Sequence, residues 1–298
     1  MENRLWKLRP TCHPVDVVLD TDAYNEIDDQ YAIAYLLRSE DKLRTKAIYA
    51  APFENSKAAT PALGMEASYR EILHILQLMG QTDACPVYRG SEAWLPDEAT
   101  PVLSEAARDL CRRAMEYSPE EPLYVIAIGA ITNIASAILM CPEILDRIVV
   151  VWLGGHALHW PNTREFNMNQ DITAARVVMG SGVPLVQLPC KGVVSSFTLS
   201  EAELEHWLRG RNALCDYLVQ HTVDEVTYAV GKPWTRVIWD VTAVAWLLGG
   251  FTEDRMIPTP MPQYDGTYVL QPVEHEICYV YHIHRDKLVN DLFEKLLR

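Results

Sequence analysis

The sequence predicts an open, mostly parallel, Rossmann-like α/β sheet flanked by helices, in a single domain spanning residues 1–298. Short apolar runs alternate with helical patterns along the chain, which is typical of parallel sheets. The 298 residues are 49% hydrophobic and 22% charged, so the chain is long and apolar enough to bury a large core. We find no internal repeat, linker or low-complexity segment that would divide it.

Strands are predicted from short apolar runs, and helices from apolar residues spaced three or four positions apart. The first strand contains Val15 to Leu19, and further strands are predicted over 44–50, 85–89, 123–128, 147–153 and 184–188. Helices are predicted from Tyr31 onwards and over 64–79, 103–116, 133–140, 171–180, 201–208, 212–230, 238–248 and 286–297. Thr132 is the expected N-cap of the helix over 133–140. Residues 256–284 are predicted to form β-structure with turns at Pro262 and Gly266.

An acidic loop joins the first strand to the first helix. It carries Glu26 and four aspartates within ten residues: Asp20, Asp22, Asp28 and Asp29. Ligands of open α/β sheets bind beyond the carboxyl ends of the strands, where this loop falls. Clustered carboxylates raise one another's pKa, and a hard cation such as Ca²⁺ or Mg²⁺ removes the repulsion. The loop therefore predicts a metal or catalytic site, and the alternative is a solvated loop whose aspartate caps the next helix.

The net charge of −14 and the pI near 5.1 argue against binding nucleic acid or an anionic membrane through bulk charge. The N-terminus has no apolar signal-peptide core, and no run of about 18 apolar residues occurs, so we expect a cytoplasmic protein without a membrane span. Seven scattered cysteines without a CxxC pair indicate reduced, mostly buried thiols and argue against zinc.

Four further signals lie at predicted strand ends or helix starts. They are IGAITNIA at 128–135, WLGGH at 152–156, EFNMNQDITAA at 165–175 and WD at 239–240. Each alone also fits a local role, since Gly-Gly suits a tight turn and Asp171 or Asp240 suits a helix cap. Together with the acidic loop, over nearly the whole chain, they resemble the inosine-uridine-preferring nucleoside hydrolase family. That family carries DxDPGxDD, GPLTN, MGG and EFN motifs, then DPEAA and a late HD pair.

The resemblance implies an open α/β enzyme of nucleoside salvage that uses Ca²⁺ to hydrolyse the N-glycosidic bond of a small-molecule ribonucleoside. By motif, Asp22 would bridge the ion and a water and act as general base. Asp29 would bind the ion through both oxygens, and Asp240 would be a third carboxylate ligand. Ile128 stands where the family offers a main-chain carbonyl to the metal. Attack by water on an oxocarbenium-like ribosyl centre, without a covalent intermediate, predicts inversion.

The resemblance also implies a set of sugar ligands. Asp28 would hold ribose hydroxyls, while Glu165 and Asn167 would bind the sugar, with Asn167 also counted among the catalytic residues. Asn162 stands in for an earlier asparagine of the family, at a shorter spacing. Asp20 is expected to orient the other carboxylates from outside the metal shell. Family assemblies imply a homodimer or a homotetramer, and no residue pattern chooses between them.

The loop after Asp22 departs from the family pattern. Five residues, AYNEI, precede the next aspartate where the family has three, and we expect Asn25 and Glu26 to be exposed turn residues. The second strand ends without the family's Gly-Asn pair, which leaves Asn55 as the candidate for the missing ribose ligand.

The largest departure is Trp239, which replaces the histidine proposed in many members as the acid for the leaving base. A tryptophan here resembles purine-preferring members, and stacking on a purine that is becoming protonated adds on the order of 1–2 kcal/mol. We therefore favour purine ribonucleosides, and the alternative is a core tryptophan at a helix start. Trp94 is the candidate for a second aromatic wall, and His156 and His159 are candidate proton donors.

Two other functions stay open at this point. A haloacid-dehalogenase-like Mg²⁺ phosphatase would use Asp20 as nucleophile and Asp22 as acid/base, although Tyr24 stands where that family has Thr or Val. A catalytically silent calcium- or ribose-binding protein on the same fold would account for the missing Pro-Gly, Gly-Asn and His. The acidic, glycine-poor turn after the first strand argues against a dinucleotide-binding enzyme, because it would repel a pyrophosphate.

Overall fold

The chain folds as alternating strands and helices, in a computed structural model that describes residues 7–9, 13–229, 231–269 and 275–298. The strands are β1 Val15–Thr21, β2 Leu43–Ala50, β3 Val87–Arg89, β4 Leu123–Ala127, β5 Ile148–Leu153, β6 Leu185–Leu188, β7 Thr198–Ser200, β8 Thr235–Val237, β9 Thr252–Pro258, β10 Met261–Pro262, β11 Tyr268–Val269 and β12 Glu276–Ile283. The helices are α1 Asp28–Leu37, α2 Pro61–Leu78, α3 Glu105–Ala114, α4 Thr132–Met140, α5 Phe166–Gln170, α6 Ile172–Gly180, α7 Glu201–Trp207, α8 Ala213–Glu225, α9 Val241–Leu248 and α10 Arg285–Leu296. Among these helices, none is long and apolar enough to cross a membrane.

One eight-stranded sheet organises the structure, in the order β3-β2-β1-β4-β5-β6-β12-β9. Neighbouring strands from β3 to β12 run parallel, and only the edge strand β9 pairs antiparallel, with β12. The prediction of an open, mostly parallel α/β sheet is confirmed. The chain places β2 and β3 on one side of β1 and β4 to β6 on the other. The carboxyl ends of β1 and β4 therefore border the switch point where open α/β sheets bind ligands.

Both faces of β1 are buried, which fixes the loop that follows it. Val17 and Leu19 pack in one apolar cluster together with residues of α1, α9 and α10. Val18 points to the other face, where it packs with residues of α3, α4 and α6. Burial of each such side chain stabilises the fold by about 1.5–3 kcal/mol relative to exposure. The two-sided packing matches the continuous apolar runs from which the strands were predicted.

Two of the differences between predicted and observed helix starts matter for the site. α1 starts at Asp28, three residues before the predicted start, so Asp28 and Asp29 form its first turn. The helix predicted over 238–248 starts at Val241 and is preceded by β8, which the apolar pattern did not reveal. Negative charge in a first turn is favoured by the helix dipole. The predicted helix over 212–230 ends at Glu225, and residue 230 lies outside the described residues.

Capping around α4 and α6 differs from the prediction in one respect. Asp171 caps α6 as expected, because its Oδ1 accepts a hydrogen bond from the Ala174 amide at 2.9 Å. The prediction that Thr132 is the N-cap of α4 is wrong. Thr132 is the first residue of α4, and its hydroxyl donates to Asp171 Oδ2 at 2.7 Å. The two helix starts are thus tied together by one aspartate.

Candidate functional site

A cavity of about 270 Å³ opens at the carboxyl ends of β1, β4, β5 and β6. Its volume is close to the lower end of small-molecule sites, which is ~300 Å³. Predicted site residues from distant parts of the chain line it together: Asp22, Asp28, Asp29, Ile128, Glu165, Asn167, Trp239 and Asp240. The remaining lining residues are Asn25, Glu26, Leu153, His156, Arg164, Phe166, Cys190, Lys191 and Arg236.

Four buried aspartates form what we call the carboxylate cluster: Asp22, Asp28, Asp29 and Asp240. One oxygen from each of Asp28, Asp29 and Asp240 lies within 4.8 Å of the other two. Asp240 precedes α9 but makes no side-chain cap bond with it. Its carboxylate therefore faces the first turn of α1 instead of serving the helix that it begins.

The cluster is electrostatically unfavourable without a counter-charge. Burial raises the pKa of Asp22, Asp29 and Asp240 well above the usual range, and the neighbouring carboxylates raise it further. Burial also raises the pKa of Asp28 to about 7, with Glu26 adding to the effect and Arg236 opposing it. The four aspartates can all be ionised at the same time only when a positive charge binds among them.

The donor set fits a hard cation. Asp22 Oδ2 and Asp28 Oδ1 are buried and have no hydrogen-bond partner among the described residues. Asp29 Oδ1 accepts a hydrogen bond from Thr21 Oγ1 at 2.5 Å, which fixes its side chain on α1. Orphaned carboxylate oxygens are costly to bury, and an all-oxygen set is typical of Ca²⁺ or Mg²⁺. The geometry thus offers the carboxylate cluster as a metal site.

Asp20 lies one layer below the cluster and does not line the cavity. Asn133 Nδ2 donates to Asp20 Oδ1 at 2.7 Å, and Asn133 Oδ1 accepts from the Ser91 amide at 2.8 Å. Burial raises the pKa of Asp20 to about 7, against the lowering effect of Asn133. This buried network holds the end of β1, which suits the orienting role predicted for Asp20.

A second part of the lining, the Glu165 wall, consists of Gly155, Glu165 and Asn167. Glu165 caps α5: its Oε1 accepts from the Asn167 amide at 2.8 Å, and its Oε2 accepts from Gly155 and Met168 amides, both at 2.9 Å. Burial raises the pKa of Glu165, and these backbone donors counteract the effect. The carboxylate of this wall is therefore satisfied by the protein itself.

The side-chain amide of Asn167 joins the ends of two strands. Its Nδ2 donates to the Ile128 carbonyl at 3.0 Å and to the Leu153 carbonyl at 3.1 Å. Ile128 lines the cavity beside Asn167, and the role of its carbonyl as a metal ligand stays a prediction. A carbonyl oxygen has a second lone pair, so the bond from Asn167 leaves one acceptor site open.

Trp239 is half-buried, packs partly against the core and also lines the cavity. Its role as a stacking surface for the base stays a prediction. His156 lines the cavity, but burial, together with the Lys191 charge, lowers its pKa to about 4. It is therefore neutral near pH 7 and is a poor proton donor. The cavity lining does not include Trp94, His159 or the exposed Asn162.

The long AYNEI loop is tied to the rest of the site by ion pairs. Arg236 Nη2 lies 3.0 Å from Glu26 Oε2 and 3.3 Å from Glu225 Oε2. Lys57 Nζ donates to the Asn25 carbonyl at 2.8 Å and pairs with Glu225 Oε1 at 2.9 Å. The expectation that Asn25 and Glu26 are simply exposed is corrected, because both are partly buried in the cavity wall.

Asn55 does not reach the cavity. Its Nδ2 donates to Asn25 Oδ1 at 2.8 Å, so it supports the AYNEI loop from outside. Three basic lining residues were missed by the sequence reasoning: Arg164, Lys191 and Arg236. Lys191 could have been flagged by its place just after a buried strand. Arg236 lies on β8, a strand too short to give a pattern.

The structure gives no support to the phosphatase alternative. A nucleophilic Asp20 would have to meet the substrate, yet its side chain is fully buried, is bonded to Asn133 and lies outside the cavity lining. The aspartates that do face the cavity are Asp22, Asp28, Asp29 and Asp240, and Asp20 is not among them.

Comparison with known proteins gives a consistent assignment. The profile described as inosine-uridine preferring nucleoside hydrolase matches residues 17–276. The pyrimidine-specific ribonucleoside hydrolase RihA of Escherichia coli is 27% identical over 263 residues, covering 78% of this chain and 79% of the relative. RihA of Citrobacter koseri is 26% identical over 243 residues, covering 70% and 76% of the two chains.

Solved structures show the same fold. A plant nucleoside hydrolase superposes with a TM-score of 0.74 at 20% identity, covering 95% of this chain and 99% of its own. A purine-preferring ribonucleoside hydrolase from Gardnerella vaginalis gives 0.72 at 20% identity, covering 95% and 98%. The family match spans most of the chain, and its members are N-glycosyl hydrolases. This protein is accordingly an enzyme that belongs to the inosine-uridine preferring nucleoside hydrolase family.

Proposed function

We propose that the enzyme hydrolyses the N-glycosidic bond of purine ribonucleosides, with Ca²⁺ at the carboxylate cluster and Asp22 as general base. One observation carries the proposal. Buried oxygens of Asp22 and Asp28 lack partners within the described part of the chain, and both residues line a cavity at the switch point of the sheet. A divalent cation and the hydroxyls of a sugar are the ligands that such oxygens accept.

Asp22, Asp29, Asp240 and the Ile128 carbonyl would hold the ion. When bound, Ca²⁺ would supply a positive charge that orients the vicinal hydroxyls of ribose and lowers the pKa of a water. Asp28, in the same group of oxygens, would accept hydrogen bonds from those hydroxyls. The protein contributes a rigid arrangement, since α1, β1 and α9 fix the carboxylates before the substrate arrives.

Asp22 suits the role of base because its carboxylate is buried and one oxygen has no partner in the portion of the chain that the structure describes. It would take a proton from the attacking water as the C1′–N bond breaks and a C1′–O bond forms. The neighbouring carboxylates stabilise positive charge that develops on the sugar. The leaving base takes up a proton from solvent and Asp22 returns its proton to solvent, so the products are ribose and the free base, with inversion at C1′.

Trp239 supports a preference for purines, since a half-buried ring at the cavity can stack on a flat bicyclic base. The relatives differ in this property, because the RihA proteins are pyrimidine-specific and the Gardnerella enzyme is purine-preferring. The Trp239→His variant should lower the ratio of purine to pyrimidine turnover about tenfold, as ~1–2 kcal/mol of stacking is lost. Trp207→His, at an exposed tryptophan of α7, is the matched control and should leave the ratio unchanged.

The decisive assay is reducing-sugar release from a panel of purine and pyrimidine ribonucleosides, with Ca²⁺ and with a chelator. The proposal expects release that depends on calcium and is fastest with purines. Release of equal rate in chelator would contradict the metal role. Tight ribose binding without any release would instead establish the catalytically silent binder. Light scattering on the same preparation distinguishes the homodimer from the homotetramer that the family resemblance implies.

A further inference from the structure

A small hairpin formed by β10 and β11 lies outside the eight-stranded sheet and contacts the segment that leads into α5. The Thr163 amide donates to the Gly266 carbonyl at 2.8 Å. Arg164 Nη2 donates to the Asp265 carbonyl at 3.1 Å. Both contacts fall on the two residues that directly precede Glu165, so the hairpin holds the chain at the entry to the Glu165 wall.

Tyr268 of β11 extends this contact to the wall itself. Its hydroxyl donates to Met168 Sδ at 3.7 Å and accepts from Gln187 Nε2 at 3.0 Å, and the same Nε2 donates to the Gly154 carbonyl at 3.0 Å. The hydroxyl also packs on Gly155, where an added Cβ would lie 2.2 Å from its oxygen. Since Gly155 has a φ of +76°, its conformation and its packing both require glycine.

These contacts converge on one oxygen of Glu165. Glu165 Oε2 accepts hydrogen bonds from the Gly155 and Met168 amides, both at 2.9 Å, and these are two residues that the Tyr268 hydroxyl contacts. Within the described part of the chain, Glu165 Oε1 accepts one hydrogen bond, from the Asn167 amide. A carboxylate oxygen accepts more than one such bond, so Oε1 keeps acceptor capacity for a sugar hydroxyl.

We propose that Tyr268 is a positioning residue for sugar binding, because its hydroxyl fixes the two amides that orient Glu165. The inference rests on the proposed function and on the predicted role of Glu165 as a sugar ligand. Tyr268 itself does not line the cavity, so it acts through Glu165. The side-chain partners of its hydroxyl, Gln187 and Met168, lie outside the carboxylate cluster. Loss of the hydroxyl should therefore weaken the binding of sugar and leave the binding of calcium unchanged.

The first test is the steady-state kinetics of Tyr268→Phe, which removes only the hydroxyl. For the ribonucleoside that the wild type cleaves fastest, KM should rise about five- to tenfold, as expected for one lost hydrogen bond. kcat should stay unchanged, because the ground state and the transition state lose the same interaction. Tyr264→Phe is the matched control and should leave KM unchanged. It removes the hydroxyl of an exposed tyrosine on the same hairpin, which donates to Glu98 Oε1 at 3.0 Å.

A double-mutant cycle distinguishes action through Glu165 from general loosening of the fold. Calorimetric titration with ribose in the presence of Ca²⁺ compares wild type, Tyr268→Phe, Glu165→Gln and the double variant. If Tyr268 acts through Glu165, the double variant should bind ribose no more weakly than Glu165→Gln alone. Additive losses, wild-type ribose affinity in Tyr268→Phe, or a matching loss of its calcium affinity would overturn the inference.

The two measurements also separate this inference from the proposed function. Calcium-dependent cleavage of nucleosides with an unchanged KM in Tyr268→Phe would overturn the positioning role and leave the proposed function intact. Weaker ribose binding by Tyr268→Phe, in a protein that cleaves no nucleoside, would support the positioning role and refute hydrolysis. A wild-type protein that neither binds ribose nor cleaves a nucleoside would contradict both.

Discussion

The carboxylate cluster and the Glu165 wall both contain buried carboxyl groups, but they differ in whether the protein satisfies the hydrogen bonds of those groups. Both present buried carboxylates to one cavity. In the wall, backbone amides satisfy Glu165, which thereby caps a helix. In the cluster, oxygens of Asp22 and Asp28 have no partner among the described residues, and the acids repel one another. A buried acid that the backbone satisfies is part of the fold, whereas one left unsatisfied is prepared for a ligand.

The largest expected effect is the loss of turnover in Asp22→Asn. A general base contributes about 10²–10⁴-fold, and the amide also weakens the metal site, so kcat should fall by at least ~10³. Folding should not suffer, because the change removes a buried charge that its neighbours disfavour. Ribose release and a thermal melt in chelator measure both effects. Asp83→Asn, at an exposed aspartate outside the cavity, is the control, and an Asp22→Asn enzyme of normal turnover would refute the assignment.

Substitutions in the two regions should change the free energy of unfolding in opposite directions. In chelator, Asp28→Asn should raise the free energy of unfolding, since it removes a buried carboxylate whose neighbour Glu26 repels it. Glu165→Ala should lower it by about 1–2 kcal/mol, the usual value of a lost N-cap. Urea unfolding of both variants beside wild type measures the difference. A change of the same sign in both variants would contradict the difference between the carboxylate cluster and the Glu165 wall.

The pH dependence of stability follows from the raised pKa values. Asp28 has a folded pKa of about 7 and an unfolded pKa of about 4. Between these values the folded state binds more protons than the unfolded state, so the free energy of unfolding in chelator should fall as pH rises from about 4 to 7. The slope is up to ~1.4 kcal/mol per pH unit for each such proton. Calcium should flatten the slope, and a chelated protein that gains stability over this range would contradict the account.

The smallest effect is expected at Asn162. Its Oδ1 accepts from the Arg164 amide at 3.0 Å, and the side chain is exposed outside the cavity lining. Asn162→Ala should therefore change KM by no more than about twofold, as for most surface substitutions. Steady-state kinetics with the preferred nucleoside measures this. A large rise in KM would restore the sugar-binding role that the motif spacing suggested.

Site residues that directly follow a strand could be predicted from the sequence, because the strand fixes their position. Asp22 and Ile128 follow apolar strands directly, so their meeting at one sheet edge could be predicted from order alone. Trp94 and Asn162 lie in loops, where no periodicity limits the path of the chain, and both fall outside the cavity. Arg236 was missed because three-residue β8 gives no recognisable pattern. Asp28 and Asp29 were expected in a loop, yet the helix extends back to include them, since an acidic first turn suits the helix dipole.

Calorimetric titration of the chelator-treated protein with Ca²⁺ near pH 6, in two buffers of different ionisation enthalpy, tests the central claim most directly. The account predicts one ion bound per chain, with protons released as carboxylates of raised pKa ionise. It also predicts that Asp240→Asn weakens this binding strongly, whereas Glu165→Gln leaves it unchanged. Absence of calcium binding, or binding without proton release and insensitive to Asp240, would show that the carboxylate cluster is not the metal site.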